Sequence, residues 1–535
     1  MAHTPEEHPG TAIDRRTLIG AAVAGATLAL LSHTARAAAA AKRVATPAGI
    51  FVGEGQTGGG VGTPVWSFRG IRYATAERFR APRPYATPGK LRDVTAYGPV
   101  CPQTGSTYAP QSEDCLYLNV WTANPAPRAK LPVMLYIHGG AYSGGSVTDP
   151  LNDGATLAGR GDVVVVTVNH RLNAFGYLYL ARLDPRFPDS GNAGQLDLIC
   201  ALRWVRDNIA AFGGDPGRVM LFGQSGGGAK IATLTGMPAA AGLFHRAATM
   251  SGQQVTAQGP LHATERTRAF LDAVGVKPDA LQPLLDMPAE RLVEGLSARD
   301  PVMAGAVSFA PVLDMTWLVR HPFWPDANPI GRSIPMILGN THDETRGFIP
   351  PETTKTLNWD TLPGRLAPEL RIDVLPEWVV GEYRKHFPDW SPSDMFYAAS
   401  TAGRSWRGQV IEAEERARAG APAWVYQVDF TSRTDPRRGA FHTIDIPLVF
   451  GTLGATGSQT GTRPDARAAS SAIQESFVAF ARTGDPNHAG MPTWPRYDLT
   501  TRATMIFDAA GRVENDPRRW QRELFARIPY IQPGT

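Results

Sequence analysis

Residues 218–229 read RVMLFGQSGGGA. The run RVMLFG has the length and apolar continuity of a buried strand, and the glycines from Gly226 onward open into a helical pattern. Between them lies Gly223-Gln224-Ser225-Gly226-Gly227, the G-x-S-x-G spacing in the strand–turn–helix setting that gives it meaning. Such a turn forces strained backbone at Ser225, and the flanking glycines remove Cβ atoms that would collide there. The hydroxyl is then presented at the carboxyl end of a sheet, where α/β folds place their sites. The N–H of Gly226, at the start of the helix, is placed to donate to an oxyanion.

Outward from this turn, strands and helices alternate. LPVMLYIHGG (131–140) and VVVVTVNH (163–170) read as buried parallel strands. IPMILGN (334–340), AWVYQVDF (423–430) and ATMIFD (503–508) are further strand candidates. Leu198, Leu202, Val205, Ile209 and Phe212 predict a helix over 194–212, stopped by Gly213-Gly214. Ile473, Phe477 and Phe480 predict another over 466–482. The alternation predicts an α/β fold with a central, mostly parallel sheet flanked by helices. The spans 252–333, read as mostly helical, and 351–422, read as mixed, are expected as insertions beside the sheet. GTLGATGSQTGTRPD (451–465) is expected as a mobile loop.

Composition narrows the function. The 43% apolar and 19% charged residues are ordinary for a globular chain and exclude wholesale disorder. The 53 basic and 49 acidic side chains leave a net charge of +4 over 535 residues, with no Lys/Arg run of five, so no nucleic-acid partner is expected. Three cysteines are too few for a disulfide scaffold or a four-cysteine metal site. No metal-ligand spacing and no separate phosphate-binding loop appear, so no cofactor and no metal are expected. Near the N-terminus, Arg15-Arg16 precede a weakly apolar run from Leu18 to Leu31, and Ala35 to Ala37 follow. That order predicts a twin-arginine-type signal peptide over 1–37. Those 14 apolar-leaning residues fall short of the roughly 20 that span a bilayer. The expectation is a secreted or extracytoplasmic protein, without stable membrane insertion after cleavage, whose residues 38–535 form a single domain.

FGGDPGRVMLFGQSGG (212–227) resembles the serine signature of the type-B carboxylesterase family, and EDCLYLNVW (113–121) resembles its second signature. Looser similarity runs from FRGIRYA (68–74) to TGDPN (483–487) and PTWPRYD (492–498). The resemblance implies one α/β-hydrolase domain with helical insertions around the active site. It also implies hydrolysis of small carboxylic esters by a Ser–His–Glu triad through an acyl-enzyme. A non-catalytic adhesion module on the same fold would lack a triad member, and a secreted peptidase would lack the two signatures.

A serine hydroxyl needs a base, and the base needs an orienting acid. His245, His262, His321, His342, His386, His442 and His488 all follow Ser225, and chain order alone does not choose among them. GAFHTIDIPLVFG (439–451) resembles the family's histidine segment, which implies His442 as base. GNTHDETRGF (339–348) resembles its acid segment, which implies Glu344, with Asp343 the competitor and His342 structural. In His138-Gly139-Gly140-Ala141 the resemblance makes Gly140 and Ala141 oxyanion donors, together with Gly226. Ala141 stands where many members have Gly, and Gly226 where many have Ala; the latter is expected to loosen the hole.

The resemblance further implies a Cys101–Cys115 disulfide, an Arg78–Glu113 ion pair and a supporting role for Ser251 beside the acid. Cys200 is expected as a buried free thiol. The loop between Cys101 and Cys115, PQTGSTYAPQSED, has no Trp, and Tyr108 is its only aromatic. A quaternary ammonium needs an aromatic face, so neutral short-to-medium acyl or aryl esters are expected over choline esters. Trp406 is the alternative source of such a face.

Overall fold

The computed structural model describes residues 41–57, 64–303, 305–370 and 372–530. The expected signal peptide lies outside the described residues. The main sheet runs through β1 (Ala41–Thr46), β2 (Gly49–Thr57), β3 (Pro64–Arg72), β4 (Tyr117–Thr122), β5 (Leu131–Ile137) and β6 (Val164–Val168). It continues with β7 (Gly214–Gln224), β8 (Arg246–Met250), β9 (Met336–Thr341), β10 (Ala423–Val428), β11 (Ala503–Phe507) and β12 (Arg512–Asn515). With the short strand Leu91–Asp93 beside β2, they form a 13-stranded sheet in the order β1-β2-β3-β4-β6-β5-β7-β8-β9-β10-β11-β12. From β6 to β11 every pairing is parallel; the edges are antiparallel, apart from the parallel strand Leu91–Asp93 beside β2.

The centre of this sheet is buried on both faces, and the period-2 alternation of strand side chains divides the core in two. On β5, Val133, Leu135 and Ile137 join one apolar cluster with Leu198, Leu202 and Val205 of the helix Ala193–Asn208. Met134 and Tyr136 point the other way, into a cluster with Ile473, Phe477 and Phe480 of the helix Pro464–Thr483. β7 repeats the pattern, with Val219 and Leu221 on the first face and Met220 and Phe222 on the second. Arg171 at the end of β6 meets Asp197 of the Ala193–Asn208 helix through Nε at 2.9 Å and Nη2 at 2.6 Å. Both side chains are almost fully buried, so each neutralises a charge that would otherwise be costly there.

The insertions differ from their expected content. In 252–333 the helices are confined to Pro260–Ala273, Gln282–Asp286 and Ala289–Gly295, apart from one 3₁₀ turn at Pro329–Gly331. Much of 351–422 is helical, with its own apolar cluster around Leu362, Leu366, Tyr383 and Phe396 and a π-helical turn at Ala402–Trp406. The stretch 451–463 is a series of turns, fastened where Arg433 N donates to Gln459 O at 2.9 Å and Thr452 Oγ1 donates to Leu151 O at 2.9 Å. Among the described residues no helix is long and apolar enough to cross a membrane.

The expected Cys101–Cys115 disulfide is not formed; Cys101, Cys115 and Cys200 are all buried thiols. Cys101 Sγ accepts the Leu172 N–H at 3.2 Å, and the Cys115 thiol is hydrogen-bonded to Cys101, so both sulfurs are satisfied without a bridge.

The helix Arg407–Arg418 carries a buried carboxyl toward the site. Glu412 Oε1 accepts Gln254 N–H at 2.7 Å, and Gln254 Oε1 accepts the Tyr142 hydroxyl at 2.7 Å. Burial pushes the Glu412 carboxyl up to about 8, against the Gln254 amide and Arg416, which pull it down. The folded protein therefore holds a proton that the unfolded chain releases near 4.5, and stability falls as pH rises from there to about 8. Glu412→Gln keeps the acceptor and removes the titration. Its Tm relative to the unmodified protein should be close to unchanged near pH 5 and clearly higher near pH 8. An equal offset at both pH values would show that Glu412 ionises in the fold as it does in water.

Candidate active site

β7 delivers Ser225 into a turn with φ 54° and ψ −124°, and the helix Gly226–Leu234 starts at the next residue. A Cβ on Gly227 would lie 1.9 Å from Ile137 O, and one on Gly252 would lie 2.0 Å from Ser225 O. The ends of β5, β7 and β8 therefore converge on the serine more closely than side chains permit. Ser225 N donates to Met250 O at 2.7 Å, which fastens the turn to β8.

The acid and histidine segments meet beside it. Asp343 N donates to Ala440 O at 2.9 Å, and Ala440 N donates back to the Asp343 carboxylate at 2.9 Å. Asp343 thus stitches the two loops, and the next residue, Glu344, turns inward. Glu344 and His442 are both buried, and Glu344 Oε2 meets His442 Nδ1 in a short hydrogen bond. Glu344 Oε1 accepts from Asn340 Nδ2 at 3.0 Å and Thr341 N at 2.9 Å. Burial alone would raise this carboxyl; His442, Ser251 and Asn340 outweigh it and hold Glu344 below the ordinary range, ionised. Ser251 Oγ contributes to that balance without meeting a partner at normal hydrogen-bond geometry. His386 instead stacks on Trp520 at 4.3 Å, and His488 meets Ser476 at 3.1 Å. His342 faces Asp343 at 3.1 Å and is half-exposed.

Three neighbours of His442 were not legible in the sequence. Gln224 donates its amide to His442 Nε2 at 3.1 Å, while the ring of Phe348 lies 4.5 Å from the imidazole. Asp445, fully buried, accepts the Tyr426 hydroxyl at 3.2 Å. Burial, then the nearby Glu344, push Asp445 up to about 7. Glu344 is thereby the carboxylate that carries the charge beside the imidazole in mildly acidic solution. Only the position of Gln224 directly before the serine hinted at such a contact.

The turn after β5 carries Gly140 at φ 91° and Ala141 at φ 52°. Gly140 O accepts from Ser143 N at 3.1 Å and Gly144 N at 3.0 Å, which closes the turn. Gly226 N–H, first in its helix, has no intrahelical acceptor. Ser225, His442, Gly140, Ala141 and Gly226 all line one cavity of about 1010 Å³, with Phe348 and Arg404 on its wall. A smaller cavity of about 450 Å³ lies across the turn and holds Tyr108, whose hydroxyl donates to Asp149 at 2.6 Å. Trp406 lies in neither; the Arg518 guanidinium covers its face at 4.6 Å.

Among the supports, Arg78 Nε donates to Glu113 Oε2 at 2.7 Å and Nη1 reaches Leu284 O at 3.1 Å and Leu285 O at 3.0 Å. This pair joins the N-terminal segment to the Cys101–Cys115 loop and to the Gln282–Asp286 helix. Among the described residues no group of three or more His, Cys, Asp or Glu is arranged to hold a metal ion.

Comparison with known proteins gives this geometry a family. The model of the carboxylesterase family matches residues 40–524. The para-nitrobenzyl esterase of Bacillus subtilis is 36% identical over 481 residues, which cover 86% of this chain and 94% of that protein. The phenmedipham hydrolase of Pseudarthrobacter oxydans is 33% identical over 509 residues, covering 87% and 96%. A solved carboxylesterase of Geobacillus stearothermophilus superposes with a TM-score of 0.79 at 35% identity, over 90% of this chain and 99% of that one. The chain belongs to the carboxylesterase family, carboxylic-ester hydrolases built on the α/β-hydrolase fold.

Proposed function

We propose that Ser225, His442 and Glu344 act as the triad of this esterase, through an acyl-enzyme intermediate. The observation that carries this reading is the buried contact of His442 Nδ1 with Glu344 Oε2, at the wall of a cavity that also holds Ser225. With Nδ1–H donated to the carboxylate, Nε2 keeps a lone pair, the tautomer that a base requires. At rest the Gln224 amide meets that lone pair. In the reaction, Ser225 Oγ bonds to the ester carbonyl carbon and its proton passes to His442 Nε2. The carbonyl oxygen takes the negative charge, and the N–H groups of Gly140, Ala141 and Gly226 receive it. As the C–O bond to the alcohol breaks, the alcohol takes the proton from His442 and leaves acylated Ser225. Water, deprotonated by His442, then releases the acid and restores the serine.

The substrate class we propose is neutral short-to-medium acyl or aryl esters. Tyr108 turns its hydroxyl to Asp149 and Trp406 is covered by Arg518, so neither presents a free aromatic face to the cavity of Ser225. The relative named for para-nitrobenzyl esters points the same way. We also propose export, on the residues of 1–37 alone; Lys-Lys in place of Arg15-Arg16 should leave precursor in the cytoplasm, and unchanged export would point to another route.

Ser225→Ala, His442→Ala and Glu344→Gln should each lower kcat by on the order of 10⁴ or more at an unchanged Tm, and double variants should lose little beyond the worst single one. A fluorophosphonate should label Ser225. Near-native activity of Ser225→Ala, or labelling at Ser143, would overturn the assignment. Against a neutral butyrate ester of equal leaving-group reactivity, butyrylcholine should have the lower kcat/KM. The Trp face missing from the 101–115 loop is worth up to roughly thirtyfold. A preference for the choline ester would sink the substrate reading.

A further inference from the structure

Lys230 is fully buried, and its Nζ donates to Ala141 O at 2.6 Å. The ammonium also lies 5.0 Å from the centre of the Tyr142 ring. Burial pushes it down to about 7, and no carboxylate counters that shift. An ammonium without a counter-charge is costly in such a place, so what it touches matters. It touches the backbone of the turn that carries two of the three proposed oxyanion donors.

The contact depends on Gly226. Gly226 and Lys230 are four residues apart in the helix Gly226–Leu234 and share one face. A Cβ on Gly226 would lie 2.0 Å from Ala141 O. The bare backbone at 226 therefore admits the Ala141 carbonyl to that face, and Lys230 receives it. Ala141 meanwhile sits at φ 52°, a conformation that an alanine does not hold without help from its surroundings.

We propose that Lys230 is a positioning residue for the oxyanion hole: by fixing the Ala141 carbonyl over Gly226, it holds Ala141 in the left-handed conformation that aims its N–H at the reacting carbonyl. The role rests on the oxyanion assignment above. It acts on the transition state through backbone geometry, and Lys230 itself touches no substrate.

The test compares Lys230→Met, Ala141→Gly and the double variant in the full-length protein, with Ser225→Ala as control. Lys230→Met should lower kcat by about 10²-fold, the scale of one lost oxyanion donor, and leave KM within about twofold. The affinity for a trifluoromethyl ketone, which forms an oxyanion on Ser225, should fall in parallel. Glycine holds a positive φ without a clamp, so Lys230→Met/Ala141→Gly should recover most of the lost kcat. Lys230→Met with kcat within about threefold of the unmodified protein overturns the proposal. So does a loss that the glycine leaves unrepaired, which would mean that the ammonium acts through its charge or through packing. Where Lys230→Met does not fold, Lys230→Gln and Lys230→Gln/Ala141→Gly are read in the same way. If Ser225→Ala stays active, the triad assignment on which the oxyanion reading rests fails; if Ser225→Ala is dead while Lys230→Met keeps its kcat, only the positioning role fails.

Discussion

Backbone at Ser225 has to turn from strand to helix in one residue, at φ 54° and ψ −124°. That conformation is held by what packs on it. Met250 O accepts the Ser225 N–H, and Gly227 and Gly252 let the ends of β5 and β8 approach to distances no side chain tolerates. The parallel sheet supplies the rigidity this requires, because both faces of its central strands are buried. A strained serine is stable here only because the strands on either side over-determine it.

The second constraint is electrostatic. In a dry site a carboxylate stays charged only where hydrogen bonds and an opposite charge replace water. Glu344 has them in Asn340, Thr341 and His442. Asp445 has one hydroxyl and an unpartnered Oδ1, and Glu412 leaves Oε2 unpartnered; burial raises both. Similar carboxyl groups in one interior are thus sorted by their donors. The acid that faces the imidazole is the one equipped to remain an anion.

This sorting explains what the sequence could and could not reveal. The serine turn was legible because strand, glycines and helix are contiguous, and β5, β6, β7, β9, β10 and β11 because their apolar runs are continuous; the short β8, RAATM, lacks such a run. His442 and Glu344 needed the family resemblance, since seven histidines satisfy chain order and only tertiary contacts separate them. The outer strands β1 and β3 of the antiparallel edge are half-buried, and their pattern is weak. The helices of 351–422 earn their stability from an apolar cluster among themselves, around Leu362 and Tyr383, which no local window contains. The family resemblance implied a bridge at 101–115, but two buried thiols occupy that place, one accepting from Leu172 N and the other hydrogen-bonded to the first. Gln224 and Lys230 were opaque because each acts through a contact made across the fold.

The pairing of Ala141 with Gly226 follows from the space between the turn and the helix. Gly226 makes room for a carbonyl: a methyl group at 226 would stand 2.0 Å from Ala141 O and 2.5 Å from Ala141 Cα. The bare backbone at 226 lets the Ala141 carbonyl come down onto the helix face. Four residues on, that face carries Lys230. Its Nζ donates to that carbonyl at 2.6 Å. The turn we propose as part of the oxyanion hole is therefore held from below, by the buried Lys230.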